Sequence, residues 1–216
     1  MDDNIADPDP DSLSPTRQTL LTRLRDYQDQ AGWREFFETY WRLIYKVARN
    51  SGLADAEAQD IVQNTFIYLV RRMPNFHYDR VRGSFKSWLR VVTRSRIHVY
   101  WRREKVNGKL QLQPLDGETG DGADAVELQA DPAADALDEI WQREWEANLL
   151  SQAFGRLRSK VSSQQLLMFR VSTTGDLPLT QVARKLGVSL AQIYLARHRV
   201  GKLFKAEVLR LRRETE

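Results

Sequence analysis

Residues 55–73 predict a helix with two unlike faces. One face is an apolar stripe that repeats at helical spacing and predicts a core contact: Val62, Phe66, Leu69 and Met73. The opposite face is polar, is charged only at one end, and consists of Asp60, Gln63, Asn64 and Ile67. A solvated helix face usually carries many Lys and Glu side chains. The second face therefore predicts a surface that docks on another protein.

Helical spacing of apolar residues recurs along most of the chain, and no stretch shows strand-like alternation of any length. We therefore predict an all-α fold with two helical domains joined by a flexible acidic linker, the C-terminal domain being a helix-turn-helix. The predicted helices begin near residue 16 and cover 33–50, 55–73 and 84–103, and the helical pattern resumes near 137.

The charge distribution divides the chain in a similar way. The net charge of +4 is the sum of −4 over residues 1–30, +7 over 31–104, −7 over 105–142 and +8 over 143–216. Two basic lobes joined by an acidic segment indicate a polyanion contacted at two places, although two solvated helical domains with a chance charge bias are the alternative. The linker region is rich in Gly and Pro and has no aromatic residue. The predicted units are a disordered acidic tail at 1–15, a first domain at 16–104, the linker at 105–136 and a second domain at 137–216.

The helix predicted over residues 84–103 interleaves basic and aromatic side chains. Its predicted core face contains Trp88, Val92, Ser95 and Val99. The mixture suits single-stranded DNA, because exposed bases stack on rings while cations follow the backbone. The alternative is a solvated basic face beside a core tryptophan. The candidate DNA-binding residues are Lys86, Arg90, Arg94, Arg96, Tyr100, Trp101, Arg102 and Arg103.

Residues 177–205 have the pattern of a helix-turn-helix. Gly187 can take positive φ in the turn, and Ser189 with Gln192 has the spacing of a capping box at the start of the second helix. The predicted inward residues of that helix are Ile193, Val200 and Phe204. A recognition helix needs donors that reach base edges and cations that meet phosphate. The candidates for reading duplex DNA are Ser189, Gln192, Tyr194, Arg197, His198, Arg199 and Lys202. An ordinary helical hairpin is the alternative.

No motif for catalysis, metal binding or cofactor binding stands out. Clustered carboxylates and histidines occur, but without metal-ligand spacing, a phosphate-binding glycine loop or a nucleophile motif. Asp55 and Glu57 are expected in the first turn of a helix, where the helix dipole favours them. We expect no catalytic residue, no metal site and no cofactor.

The absence of cysteine excludes disulfides and thiolate metal sites. No apolar run approaches the roughly 20 residues of a membrane span. The N-terminus is acidic, the reverse of a secretory signal. We therefore expect a cytoplasmic protein with no membrane partner.

Three motifs, in order, resemble the sigma-70 family of bacterial RNA polymerase sigma factors, in the small two-domain extracytoplasmic-function type. Residues 58–63 are similar to the family's A-E-D-L-V-Q segment, with Gln59 in place of Glu. Residues 83–89 are similar to its G-x-F-x-x-W-L segment, and residues 182–189 to its I-A-x-x-L-G-V-S segment. The resemblance covers about residues 16–104 and 145–210.

The resemblance implies the following roles. The Asp60, Gln63, Asn64 and Ile67 face would dock on the clamp helices of the largest subunit of the RNA polymerase core, and the flap would be a second contact. Residues 86–103 would recognise and melt the −10 promoter element, and the helix from Ser189 to Lys202 would read the −35 element. The acidic linker would thread towards the polymerase active site. An anti-sigma factor is a further partner that the family suggests.

The chain departs from the family pattern at several positions. Ser95 and Val99 replace the usual Asn and Asp, and Gln192-Ile193-Tyr194 replaces T-V-K in the recognition helix. The competing hypothesis is a stand-alone helix-turn-helix DNA-binding transcriptional regulator, in which the docking face has no role. An enzyme acting on nucleic acid is the third and least supported alternative.

Overall fold

The computed structural model describes residues 17–75, 84–107, 132–175 and 177–215. These ranges contain helices and connecting turns and no β-strand, which confirms the all-α prediction. The predicted acidic tail and most of the predicted linker lie outside the described residues. The helices are α1 (Arg17–Arg23), α2 (Gln30–Asn50), α3 (Asp55–Arg72), α4 (Phe85–Asn107), α5 (Pro132–Leu157), α6 (Ser163–Thr173), α7 (Leu179–Leu186) and α8 (Leu190–Thr215).

Helices α1–α4 enclose the larger hydrophobic cluster. The Asp29 side chain caps α2 by accepting a hydrogen bond from the Gly32 backbone N–H at 2.8 Å. The α2–α3 turn contains Gly52 at φ 97°, a conformation that favours glycine. A 3-10 turn over Met73–Asn75 follows α3. The centre of the cluster is fully buried and includes Phe36, Tyr40, Ile44, Leu69, Leu89 and Ile97.

The core face of α4 is rotated from the predicted one. Of the four residues predicted to face inward, only Val92 is buried, whereas Trp88, Ser95 and Val99 are half-buried. The buried residues are Phe85, Leu89, Val92, Thr93, Arg94 and Ile97. The prediction was wrong because it started the stripe at Trp88. Phe85 and Leu89 instead continue the helical spacing through Val92, and Trp88 packs beside Phe85 with the ring centroids 5.7 Å apart.

Helix α5 joins the two parts of the molecule. Its apolar residues recur every four positions, and each such step turns by about 40° around an α-helix. The first half of the stripe packs in the α1–α4 cluster and contains Leu137, Trp141 and Trp145. The second half lies in the clusters that α5 forms with α6 and α8, and contains Leu149, Ala153 and Leu157.

This arrangement moves the predicted limit between the domains. The prediction placed the start of the second domain at residue 137, but the first half of α5 belongs to the core of the first domain. The helix also begins at Pro132, inside the predicted linker. Proline is favoured in the first turn of a helix, because its missing N–H has no partner there. The linker composition therefore concealed the first turn of a helix.

The second half of α5 and the turn after it are held to α8 by ion pairs to buried carboxylates as well as by apolar contacts. Glu207 is 4% exposed and pairs with Lys160 and with Arg156, whose Nη1 lies 3.6 Å from a Glu207 oxygen. Burial raises the pKa of Glu207, but these cations together outweigh it, so the pKa lies below its usual range. Glu214 accepts a second contact from Arg156, at 3.2 Å. A buried carboxylate is tolerated here because it is paired.

Among the described residues, no helix is long and apolar enough to cross a membrane.

Candidate functional surfaces

The predicted docking face lies on the outer side of α3. All four of its residues are exposed: Asp60, Gln63, Asn64 and Ile67. The apolar member, Ile67, keeps 43% of its surface accessible. The opposite side of the same helix is buried at Val62 and Leu69, as the sequence pattern predicts. The structure therefore separates the two faces that the sequence distinguishes, and the docking role stays a prediction.

The first turn of α3 holds the clustered carboxylates. The Ala54 backbone N–H donates to Glu57 Oε2 at 2.5 Å, which closes the helix end. Asp55 accepts hydrogen bonds from the Tyr45 hydroxyl and from Gln59 Nε2, the latter at 2.7 Å. Both carboxylates stand where the helix dipole stabilises a negative charge. These contacts identify both carboxylates as groups that stabilise the start of α3.

An apolar groove of about 960 Å³ runs beside the docking face, between α2 and α3. It shares Gln63 and Ile67 with that face. Rings from α2 form its other wall. The Phe37 ring, 43% exposed, lies 4.9 Å from the Phe66 ring and stacks on Trp41 at 6.1 Å. The full lining is Phe37, Trp41, Tyr45, Gln59, Val62, Gln63, Phe66, Ile67, Val70 and Arg71.

Sequence reasoning missed the α2 wall of this groove. Phe37, Trp41 and Tyr45 recur at four-residue intervals, one position after the buried pair Phe36 and Tyr40. The two aromatic stripes lie side by side on one helix, for which the sequence pattern predicted only the range 33–50 and no exposed ring surface. A second aromatic stripe beside a complete core stripe is the signal that could have identified the groove.

Three of the candidate DNA-binding residues on α4 contact α5. Arg90 Nη1 lies 3.2 Å from Asp138 Oδ2, and Arg94 Nη1 lies 3.6 Å from Asp138 Oδ1. Lys86 Nζ lies 5.9 Å from the centroid of the Trp145 ring, within cation–π range. Arg94 is only 9% exposed. These three cations therefore each have a partner on α5, and Arg94 is buried while Lys86 and Arg90 are half-buried.

The other α4 candidates divide into packed and exposed side chains. Arg96 lies over the Tyr68 ring, 4.2 Å from its centroid, and burial lowers the pKa of Arg96. Trp101 is half-buried and meets His98 edge-to-face at 5.4 Å. Arg102 and Arg103 are exposed near the end of the helix. These two arginines are thus the most accessible cations among the eight candidates.

Tyr100 connects α4 to the beginning of α3. A side-chain hydrogen bond between Tyr100 and Glu57 is the main cause that holds the pKa of Glu57 below its usual value, and the bond from the Ala54 N–H adds to it. Glu57 in turn closes the N-terminus of the docking helix. A residue predicted to contact DNA therefore supports the helix predicted to contact protein.

Helices α7 and α8 are joined by a turn in which Gly187 has φ 64°. The Val188 N–H donates to the Ala183 carbonyl at 3.1 Å across this turn. The predicted capping box is confirmed, since Gln192 N–H donates to Ser189 Oγ at 3.2 Å and Ser189 N–H to Gln192 Oε1 at 2.8 Å.

The outward side of α8 carries every residue that was predicted to read duplex DNA. Ile193 and Val200 are buried, and Phe204 packs between the Phe154 and Phe169 rings, so these three face inward as predicted. The exposed set is Ser189, Gln192, Tyr194, Arg197, His198, Arg199 and Lys202. The first half of α8 thus exposes all of these basic and polar side chains, together with the apolar Leu190 and Leu195. Contact with DNA remains a prediction.

Comparison with known families gives an independent match. Residues 36–106 match the family model described as Sigma-70 region 2. The matched range runs from the first buried ring of α2 to the end of α4, and it includes the docking face, the groove and the α4 candidates. No curated protein matches the chain.

Replacing Tyr100 with Phe tests the link between α4 and α3. Loss of the hydrogen bond from the hydroxyl should raise the pKa of Glu57 towards its ordinary value of 4.5. Because the folded-state pKa is depressed, the contribution of Glu57 to stability is present above that pH and is lost on acidification. A carbon-detected NMR titration of the Glu57 carboxyl measures the change. Tyr194→Phe, which alters an exposed hydroxyl on α8, is the control, and an unmoved Glu57 pKa in Tyr100→Phe would disprove the link.

Proposed function

We propose that this chain is a sigma factor of the sigma-70 family, which directs RNA polymerase core to specific promoters and assists promoter melting; the match of residues 36–106 to Sigma-70 region 2 supports the family. The family assignment supports a role in transcription initiation and interaction with polymerase core and promoter DNA. The observation that carries the finer proposal is the exposed surface of α3 with its adjoining aromatic groove. No catalysis by the chain itself is required, since binding energy suffices for recognition.

The α3 surface has the composition of a protein interface. Interface centres are rich in aromatic residues and poor in charge, and a polar rim surrounds them. Here Phe37 and Trp41 line the centre beside Ile67. Asp60 and Asn64 form the neighbouring polar part. A groove between two helices accepts a partner helix, which fits the clamp helices of the largest polymerase subunit as the occupant.

The DNA contacts are proposed on two helices. The end of α4, with exposed Arg102 and Arg103 beside Trp101, would hold the melted non-template strand of the −10 element. The outer side of α8 would enter the major groove at the −35 element. Unstacking bases costs a few kcal/mol per step by order of magnitude, and captured bases offset that cost.

Other parts of the proposal rest on the resemblance alone. The extracytoplasmic-function type, a contact with the flap, an anti-sigma partner and a cytoplasmic location are expectations of that family type. The insertion of the acidic residues 108–131 into the polymerase is likewise an expectation of that family type. The changes at Ser95, Val99 and residues 192–194 lead us to expect a promoter sequence that differs from the usual family pattern.

A stand-alone helix-turn-helix regulator is the second candidate. It would use the same exposed side of α8, so the DNA-binding residues do not separate the two functions. The α3 surface does separate them, because a regulator that acts without polymerase has no use for an aromatic groove beside a helix face that is charged only at Asp60. Binding to core polymerase is therefore the discriminating property.

Replacing Asp60 with Arg should weaken binding to core polymerase by about 30-fold or more, which corresponds to about 2 kcal/mol at an interface hot spot. Asp60 is exposed, and the described residues place no cation within salt-bridge distance of it, so the fold should persist. Pull-down and fluorescence titration with purified core measure the affinity. Glu139→Arg makes the same charge change at an exposed site on α5 and serves as the control. Equal affinities of both variants and the parent chain would refute the docking face.

Replacing Arg197 with Ala tests the α8 surface. If Arg197 makes a bidentate contact to a base, duplex binding should weaken by about 1–3 kcal/mol and lose specificity at one base pair. A phosphate contact would instead lower the slope of log affinity against log salt concentration by about one unit and leave the sequence specificity unchanged. The test duplex is selected from a library of random DNA sequences by the holoenzyme, which is reconstituted from this chain and core polymerase. Arg158→Ala, at an exposed turn, is the matched control; unchanged affinity and salt dependence for Arg197→Ala would exclude a role in DNA binding.

A further inference from the structure

The most exposed large apolar side chain among the described residues lies on α8. Leu195 keeps 69% of its surface accessible, and it follows the fully buried Ile193 by two positions. Each residue turns an α-helix by about 100°, so Leu195 is directed about 200° away from Ile193. Leu195 therefore lies on the outward face of the helix rather than at the edge of the core.

The side chains around Leu195 suit a polyanion. Residues three, four and seven positions away lie on the same side of a helix. These positions hold Ala191, His198, Arg199 and Lys202, and all four are exposed. Arg199 and Lys202 carry a positive charge, while the short side chain of Ala191 allows a partner to approach the helix closely. The occupant that fits is therefore a polyanion with an apolar group, because an apolar protein surface would meet these cations unfavourably.

Duplex DNA displays such an apolar group in its major groove. The group is the C5-methyl of thymine, whereas the other features that distinguish the base pairs there are hydrogen-bond donors and acceptors. A leucine side chain neither donates nor accepts, so the methyl group is the feature of the base edges that it can recognise. The phosphates that border the groove supply the negative charge that Arg199 and Lys202 match.

We propose that Leu195, with Ala191 beside it, contacts the methyl group of a thymine in the −35 element, so that this chain selects a thymine at that position. The inference deepens the proposed function and rests on it in one respect, the entry of α8 into the major groove. Leu195 is outside the predicted set of duplex contacts, since that set contains only polar and charged side chains. Specificity at this base pair comes from apolar contact rather than from a hydrogen bond.

The test first removes the methyl group from the DNA. The probe is the duplex that the holoenzyme selects from random DNA sequences, with each thymine replaced in turn by deoxyuridine, which lacks only the C5-methyl group. At one position in the −35 element, this replacement should weaken binding by the parent holoenzyme about three- to fivefold, the loss expected for one buried methyl group. Fluorescence anisotropy at fixed ionic strength measures the affinity.

The second step removes the leucine from the protein. Leu195→Ala should bind the thymine duplex about three- to tenfold more weakly than the parent chain, and deoxyuridine at the same position should then change its affinity by less than about 1.5-fold. Leu209→Ala is the matched control, because it truncates a leucine that is 57% exposed about 21 Å further along α8. The control should keep the full loss of affinity on deoxyuridine replacement, while thermal unfolding confirms that both variants are folded.

Three results would overturn the inference. The first is a selected −35 element without a constant thymine, or one in which no deoxyuridine weakens the parent complex. The second is a deoxyuridine effect that persists in Leu195→Ala, because another residue would then contact the methyl group. The third is weaker binding of core polymerase by Leu195→Ala with an unchanged deoxyuridine effect, which would make Leu195 a protein contact.

Core-polymerase binding by the parent chain separates this inference from the proposed function. If the parent chain fails to bind core, the proposed function is overturned, and the duplex is selected by the chain alone. A deoxyuridine effect that disappears in Leu195→Ala would then still support the methyl contact, since a stand-alone regulator would use the same side of α8. Failure to select any duplex would overturn the methyl contact as well.

Discussion

The four-residue repeat of apolar side chains on α5 is the constraint on which the rest of the structure depends. A stripe with that spacing moves around a helix by about 40° per step, so its two ends face different directions. Trp141 and Trp145 enter the core made by α2 and α4, while Leu149 and Leu157 meet the helices of the second domain. One helix thus belongs to two cores. Full burial of large side chains of this kind contributes about 1.5–3 kcal/mol each, which favours a continuous helix between them.

The position of α5 decides which functional surfaces are open. The α3 face and its aromatic groove lie on the side of the first domain formed by α2 and α3 and are accessible. The outer side of α8 is also exposed. Lys86, Arg90 and Arg94 on α4 contact α5 instead, through Asp138 and Trp145. The α3 face and the outer side of α8 are therefore open for their predicted contacts, whereas three of the α4 candidates already have a partner on α5.

Local patterns predicted the parts of this structure that depend on local contacts. The two faces of α3, the Ser189–Gln192 cap and the inward residues of α8 follow from helical spacing and short-range hydrogen bonds. The core face of α4 was predicted from the wrong starting residue, because Trp88 and Phe85 fit a helical stripe almost equally well. The engagement of Arg90 and Arg94 could not be predicted, since Asp138 is more than 40 residues away in the chain and the pairing depends on how α5 packs. The α2 wall of the groove was missed because an exposed aromatic stripe and a buried one look alike in sequence.

Hydrogen–deuterium exchange of the full chain, with and without core polymerase, tests the central claim most directly. The account predicts slower exchange along α3 when core is added, because docking covers that helix. Unchanged exchange in α3 would contradict the docking surface.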